Sequence, residues 1–231
     1  MKLSKRLQKI ADLVAVGSIV ADIGTDHGYI PAYLIESGKC KKVIGSDISK
    51  GSLDKIIQYV KQLNLESKID TRLGNGLEVL KPKEVDTVII AGMGGILMKE
   101  ILEKDLEITN SITNFILQPM IAAKELREYL IQNDFMIKDE ELVKEENIFY
   151  EIIYAIKGEN KIEDQVAYEI SPLLIEKNHP LLEEYIDHKI NIAKSIQLEL
   201  EDKKSMKSQL RYLELSKLIE GYKEVLNNIK S

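Results

Sequence analysis

The sequence predicts an α/β protein: a doubly wound parallel sheet that closes on an antiparallel hairpin, followed by a helical tail. Three observations predict it. Short apolar strands alternate with helical stretches up to about residue 156, the pattern of a parallel sheet covered on both faces. Two β-rich runs, "FMIKDEELVKEE" and "IFYEIIYAIKG", then follow one another with only Asn147 between them, which reads as a hairpin. Beyond Gly158 no strand signal remains and helical periodicity takes over.

Taken in order, "SIVADI" (18–23), "KKVIGSD" (41–47), "KIDTRLG" (68–74), "VDTVIIAG" (85–92) and "NFILQP" (114–119) supply five strands. Stretches such as "PAYLIES" and "LDKIIQYVKQLN" supply the helices between them. In the tail, Leu182, Ile186, Lys189, Ala193, Ile196 and Leu200 alternate spacings of four and three. Leu215, Leu218, Tyr222, Val225 and Ile229 repeat the pattern. Two coiled-coil-like helices joined at the polar "EDKKSMKSQ" are expected to form an antiparallel hairpin. The domain division is placed at 1–157 and 158–231.

Composition narrows the function classes. The 231 residues are 44% apolar and 30% charged, enough for one sizeable core and a smaller appendage. A single cysteine, Cys40, leaves no internal disulfide framework and fits a reducing, cytoplasmic setting. The basic N-terminus, with Lys2, Lys5, Arg6 and Lys9, has no long apolar run after it and reads as an amphipathic helix, not a signal peptide. No stretch reaches the roughly 18 apolar residues of a membrane span. The net charge of −6 argues against wholesale electrostatic nucleic-acid binding but leaves room for a local basic face. Lys203, Lys204, Lys207 and Arg211 cluster near the tail's turn and are the candidates for one. No metal-ligand spacing exists, since His179 and His188 stand far from His27. A monomer is expected.

The chemistry concentrates in "VADIGTDHGYIP" (20–31). Asp22, Gly24, Asp26 and Gly28 alternate at the end of the first strand, in the place of a glycine-rich nucleotide turn. Gly24 permits a tight turn with a ligand close to backbone. Asp26 stands where a dinucleotide-binding turn has its second glycine, and a carboxylate there repels a pyrophosphate. S-adenosylmethionine (SAM) has no phosphate and carries a sulfonium and an ammonium, so acids near the turn favour it over NAD. Asp47, ending the second strand, is placed to accept hydrogen bonds from ribose. "GNG" (74–76) ends the third strand, where Asn75 meets an adenine edge. "AGMGG" (91–95) lets a ligand approach backbone after the fourth strand, and "LQP" (117–119) puts Gln118 and Pro119 after the fifth. His27 reads either as catalyst or as hydrogen-bonded scaffold.

Together "ADIGTDHGYIP", "AGMGG", "LQP" and "YEIIYA" resemble the bacterial tRNA (adenine(22)-N1)-methyltransferases. The resemblance covers most of the first 157 residues and continues loosely through the tail. It implies a Rossmann-like class I methyltransferase sheet, SAM as cofactor, a coiled-coil C-terminal domain, and methyl transfer to N1 of a D-loop adenine of tRNA. It implies that Asp22, Gly24, Thr25, Gly28, Asp47, Ile48, Asn75, Gly76, Gly92, Met93 and Gly94 hold the cofactor. Asp26, His27, Gln118 and Pro119 then flank the reacting base. The chain departs from the family pattern at Asn75, at "SKGSL" after Asp47, and at Met120 after the Gln-Pro pair. Two other readings stay open: a nicotinamide-dependent oxidoreductase, and a SAM-fold protein without catalysis that binds RNA or a partner. The same cofactor site also leaves open a protein or small-molecule substrate.

Overall fold

The computed structural model describes residues 2–159, 166–203 and 205–230 and divides the chain into two compact units, Met1–Lys161 and Ile162–Ser231. In the first unit the elements run α1 (Lys5–Leu13), β1 (Val20–Ile23), α2 (Tyr29–Glu36), β2 (Val43–Asp47), α3 (Lys50–Gln62), β3 (Ile69–Leu73), β4 (Thr87–Met93), α4 (Gly95–Lys104), α5 (Leu106–Ser111), β5 (Asn114–Pro119), α6 (Ala123–Gln132), β6 (Phe135–Glu145) and β7 (Ile148–Lys157). The seven strands form one sheet in the order β3-β2-β1-β4-β5-β7-β6. β1 to β5 are mutually parallel, and β7 runs antiparallel to both β5 and β6.

Burial explains which residues make strands. β1 lies inside the sheet and is buried at all four positions, so it reads as an apolar run in which Asp22 is the one charged residue. β3 lies at the edge, and Arg72 there is clamped by Asp70 and Glu84. The order reverses between β1 and β4, so their C-terminal ends diverge into a crevice where open α/β sheets take ligands. A register shift between Ala91 and Met93, with Gly92 at φ +77°, turns the end of β4 toward that crevice.

The terminal hairpin is fastened to α6 by a buried ion cluster. The Arg127 guanidinium bonds Glu140 through Nε to Oε1 (3.0 Å) and Nη2 to Oε2 (2.6 Å), and also bonds Glu151. Arg127 and Glu140 are each 1% exposed.

The second unit contains α7 (Val166–Glu169), α8 (Pro172–Glu176), α9 (Leu182–Leu200) and α10 (Met206–Lys230). Gln197 bonds the Tyr212 carbonyl and the Ser216 hydroxyl, while Glu183 pairs with Lys230, so α9 and α10 are antiparallel. The heptad positions face inward, with Leu182, Ile186, Ala193, Leu215 and Tyr222 buried. Lys189, a cation in the seam, is satisfied by the carbonyl and carboxylate of Glu169, which also accepts from the Tyr222 hydroxyl. The helices α7 and α8, too short for a periodic signal, were not legible in the sequence.

Candidate active site

The β1–α2 loop is a tight structure held by its neighbours. The Gly24 and Thr25 amides both donate to the Ser46 carbonyl (2.8 and 3.0 Å), which ties the loop to β2. The His27 amide donates to the Thr25 carbonyl (2.5 Å), closing a three-residue turn with Asp26 at its apex. Asp26 has φ +48°, a left-handed conformation that Asp tolerates better than most residues. The turn presents the Asp26 side chain outward, 57% exposed. His27 Nδ1 meets Asp26 Oδ2 at 2.7 Å, and the Ser52 hydroxyl donates to Asp26 Oδ1 at 3.2 Å. His27 also stacks on Tyr29 with ring centres 5.2 Å apart, and Tyr29 meets the edge of Tyr59. Each contact on His27 and Asp26 limits their rotamers.

Beneath this loop Asp22 is 3% exposed. Burial pushes its carboxyl up to about 7 from an ordinary 3.8, and the charge of Asp47 adds to the rise. The Thr25 hydroxyl opposes it, nearing the carboxyl without reaching full hydrogen-bond geometry. Thr25 Oγ1 and Ser46 Oγ are both buried without a partner. The buried acid and the unmet Thr25 hydroxyl both line one cleft and suit a polar, cationic ligand group, whereas Ser46 does not line it.

A cleft of about 410 Å3 brings Asp22, Gly24, Thr25, Asp26, His27 and Tyr29 together with Ala91 and Gly92 of β4, Met120 after β5 and Arg6 of α1. The other predicted cofactor residues, Gly28, Asp47, Ile48, Asn75, Gly76, Met93 and Gly94, are not among those that line it. Asp47 is 9% exposed at the end of β2, with Oδ1 accepting from the Ser49 amide at 2.7 Å. Ile48 is exposed beside it and Asn75 is exposed after β3, while Gly76 packs against Ile101. The Met93 methyl lies against Gly24, where a Cβ would come within 2.0 Å of it. Gly94 leads into α4, and at Gly95 a Cβ would sit 2.1 Å from the Ala122 carbonyl oxygen. That close approach, with Met120 N–H bonding the Met93 carbonyl, zips the 119–122 turn onto the end of β4.

Gln118 and Pro119 are buried and do not line the cleft. The Gln118 amide donates to the Pro119 carbonyl (2.9 Å), and its Oε1 accepts from Arg6 Nη1 (2.5 Å). The contact of Gln118 with the cleft therefore runs through Arg6, a residue that sequence reading left as one charge of an amphipathic helix. One signal for it existed: Arg6 lies four positions before the buried Ile10 of α1, on the same helix face. Of the tail cations, Lys203, Lys207 and Arg211 are exposed, Arg211 pairing with Glu214, and Lys204 lies outside the described residues. Among the described residues no group of His, Cys, Asp and Glu is arranged to hold a metal, and no helix is long and apolar enough to cross a membrane.

Sheet order, terminal hairpin and an acid-bearing β1 turn define a Rossmann-like class I methyltransferase domain, and a family model for a methyltransferase domain matches residues 3–153. More narrowly, the chain belongs to the tRNA (adenine(22)-N(1))-methyltransferase family. It is 34% identical to the enzyme of that name from Bacillus subtilis (strain 168), over 99% of this chain and 98% of the relative. A Streptococcus pneumoniae protein solved in complex with S-adenosyl-L-methionine superposes with a TM-score of 0.87 at 31% identity, covering 97% of this chain and all of that one. The Mycoplasma capricolum TrmK structure with S-adenosylhomocysteine gives 0.84 at 28% identity, over 99% of this chain and all of that one.

Proposed function

We propose that this protein uses SAM to methylate N1 of adenine 22 in bacterial tRNA, in the cytoplasm where tRNA is matured. The observation that carries the reading is the full-length kinship, which takes in the helical tail as well as the methyltransferase sheet. Bound SAM supplies an electrophilic methyl group on a sulfonium. Asp22, Gly24, Thr25 and Gly28 would hold its methionine end, Asp47 its ribose, and Ile48, Asn75 and Gly76 its adenine. Gly92, Met93 and Gly94 would form the opposite wall. The donor set fits: a buried acid and the partnerless Thr25 hydroxyl line the cleft and suit a cation and polar atoms.

The target base must leave its stack to reach such a cleft. The His27–Tyr29 stack offers a flat aromatic surface to receive it, with Tyr29 41% exposed. Adenine N1 is unprotonated at neutral pH and attacks without a base. The ring gains positive charge as the new bond forms, and the Asp26 carboxylate, held by His27 and Ser52, is placed to stabilise it. Gln118 and Pro119 act by positioning the substrate side.

Incubation with labelled SAM and total bacterial tRNA, followed by nucleoside analysis, tests the reading. N1-methyladenosine at position 22 is expected; label in a different nucleoside, or none in tRNA, would reject it.

Two further outcomes are expected. SAM affinity depends on pH through Asp22. Below about 7 the free protein holds a proton there that a bound ammonium must displace. Affinity therefore falls as pH drops through 7, by about tenfold per unit at the limit, and rises to a plateau above. Calorimetry from pH 5.5 to 8.5 measures this, and Asp22→Asn removes the slope together with most of the affinity. For the ligand-free chain the sign is opposite. The raised Asp22 value gives a stability contribution that is full below 3.8 and is lost progressively as pH rises to about 7.

The second outcome concerns the tail. Lys203, Lys207 and Arg211 are proposed to contact tRNA phosphates. Replacing all three with Gln is expected to weaken tRNA binding and flatten its salt dependence by about one unit of slope per lost contact, leaving SAM affinity unchanged. Filter binding over a salt series checks it.

A further inference from the structure

We infer that Ile121 is the wedge that keeps the target adenine out of its stack: its side chain packs on the face of the RNA base left beside the vacated position. The role rests on the tRNA-methylation reading, since it serves the same cleft.

The turn between β5 and α6 runs Pro119-Met120-Ile121-Ala122-Ala123, five apolar residues in a row. Turns are dominated instead by Gly, Pro, Asn, Asp and Ser, and an apolar run at a surface is an error unless it has a use. Met120 is 47% and Ile121 73% exposed, so this run does not build the core. The first turn of α4, which follows Gly94, adds the exposed Ile96 and Leu97.

The tip is held rigidly. The Met120 amide donates to the Met93 carbonyl and the Gly95 amide to the Ile121 carbonyl, both at 2.8 Å. The Ile121 side chain lies by Gly94, where a Cβ would come 3.5 Å from its Cγ1. The Ala122 carbonyl fills the space that Gly95 leaves by having no side chain. Ala122 itself sits at φ +59°, a left-handed conformation that Gly or Asn reaches at lower cost. Strain held in place by its surroundings beside a cleft points to function. Branching at Cβ leaves Ile121 few rotamers, so it presents a fixed apolar surface.

Chemistry selects the partner. Ile121 has no charge for a phosphate and no donor or acceptor for a base edge. It matches the flat face of a base, and isoleucine is among the side chains that proteins insert between base steps. Two adjacent residues divide the work: Met120 lines the cleft, and Ile121 stands outside its lining. The turn also follows β5, across the order reversal from β2 and β3, whose loops are assigned to the ribose and adenine of SAM. A base drawn into the cleft leaves its neighbour's face open to water. An apolar group seated there covers that face and blocks the base's return.

The test uses the full-length protein with Ile121→Ala and Ile121→Leu. Wild-type methylation of adenine 22 is established first, so that failure of the functional reading is distinguished from failure of this inference. Single-turnover methylation at saturating SAM and tRNA is expected to fall about tenfold in Ile121→Ala, the low end for losing one contact with a base face, and to stay within about threefold in Ile121→Leu. With S-adenosylhomocysteine bound, tRNA carrying 2-aminopurine at position 22 brightens on binding wild type and much less on binding Ile121→Ala. SAM affinity by calorimetry stays within about twofold, which also shows that the cleft is folded. On tRNA whose nucleotides flanking position 22 are abasic there is no stack to break, and the rates of wild type and Ile121→Ala converge. An unchanged rate and brightening in Ile121→Ala would overturn the inference. So would a tenfold deficit that persists on the abasic-flanked tRNA, which would make Ile121 part of the turn's scaffold, or a tenfold loss of SAM affinity, which would place it at the cofactor. A dimer in sedimentation that Ile121→Ala dissociates would overturn it in favour of a second copy of the chain.

Discussion

Asp26→Asn is expected to keep SAM affinity within a few-fold and to lower turnover on tRNA by about 100-fold, about 2.7 kcal/mol of barrier. The substitution isolates charge. Asn tolerates the left-handed φ of +48° that Asp26 adopts, and its amide oxygen still accepts from Ser52 or His27. What disappears is the negative charge beside a ring that becomes positive only during the reaction. An interaction stronger in the transition state than in the ground state appears in kcat and not in binding. Single-turnover kinetics with saturating SAM and tRNA measures it. A fall in turnover that merely follows a fall in SAM affinity would move Asp26 into the cofactor's shell, and full activity would make the carboxylate a scaffold.

Arg127→Met is expected to cost about 3–5 kcal/mol of stability, the range for removing one partner of a buried ion pair. Glu140 is 1% exposed and bonded in bidentate fashion by Arg127, so the variant leaves its charge in the interior. Met fills much of the vacated volume, which separates the charge effect from a cavity. Denaturant unfolding reads the loss. Arg127→Met/Glu140→Leu, which removes both buried charges, is expected to recover a good part of it. If the double variant is no more stable than the single, packing and not charge governs the site. The cluster joins α6 to the hairpin that distinguishes this sheet from an all-parallel one, so its loss also loosens β6 and β7.

Local pattern alone carried the strands and the helical hairpin. β1 is apolar apart from Asp22 because both its faces are covered, and that pattern is visible without neighbours. The tail's heptads are likewise a one-dimensional signal: Leu182, Ile186, Ala193, Leu215 and Tyr222 are buried where the spacing names them, while Ile190 and Ile219, each one position past the named Lys189 and Leu218, are buried in their stead. Boundaries were less legible. β1 begins at Val20, not Ser18, because Ile19 uses its amide on Asp86. α10 begins at Met206, inside the stretch expected to be turn.

What the sequence by itself determined is the class of fold and the acid-bearing turn at 22–28, since both are written in contiguous residues whose spacing matches a strand or a tight turn. What only the tertiary structure decided is how distant residues meet. Arg6 and Gln118 are 112 positions apart and touch because α1 lies by the ends of β5 and β7. Asp22 lies near neutrality because the interior around it excludes water, and Gly95 admits the Ala122 carbonyl because two loops converge there. Burial and long-range contact are properties of the packed chain, and neither has a period that a sequence displays.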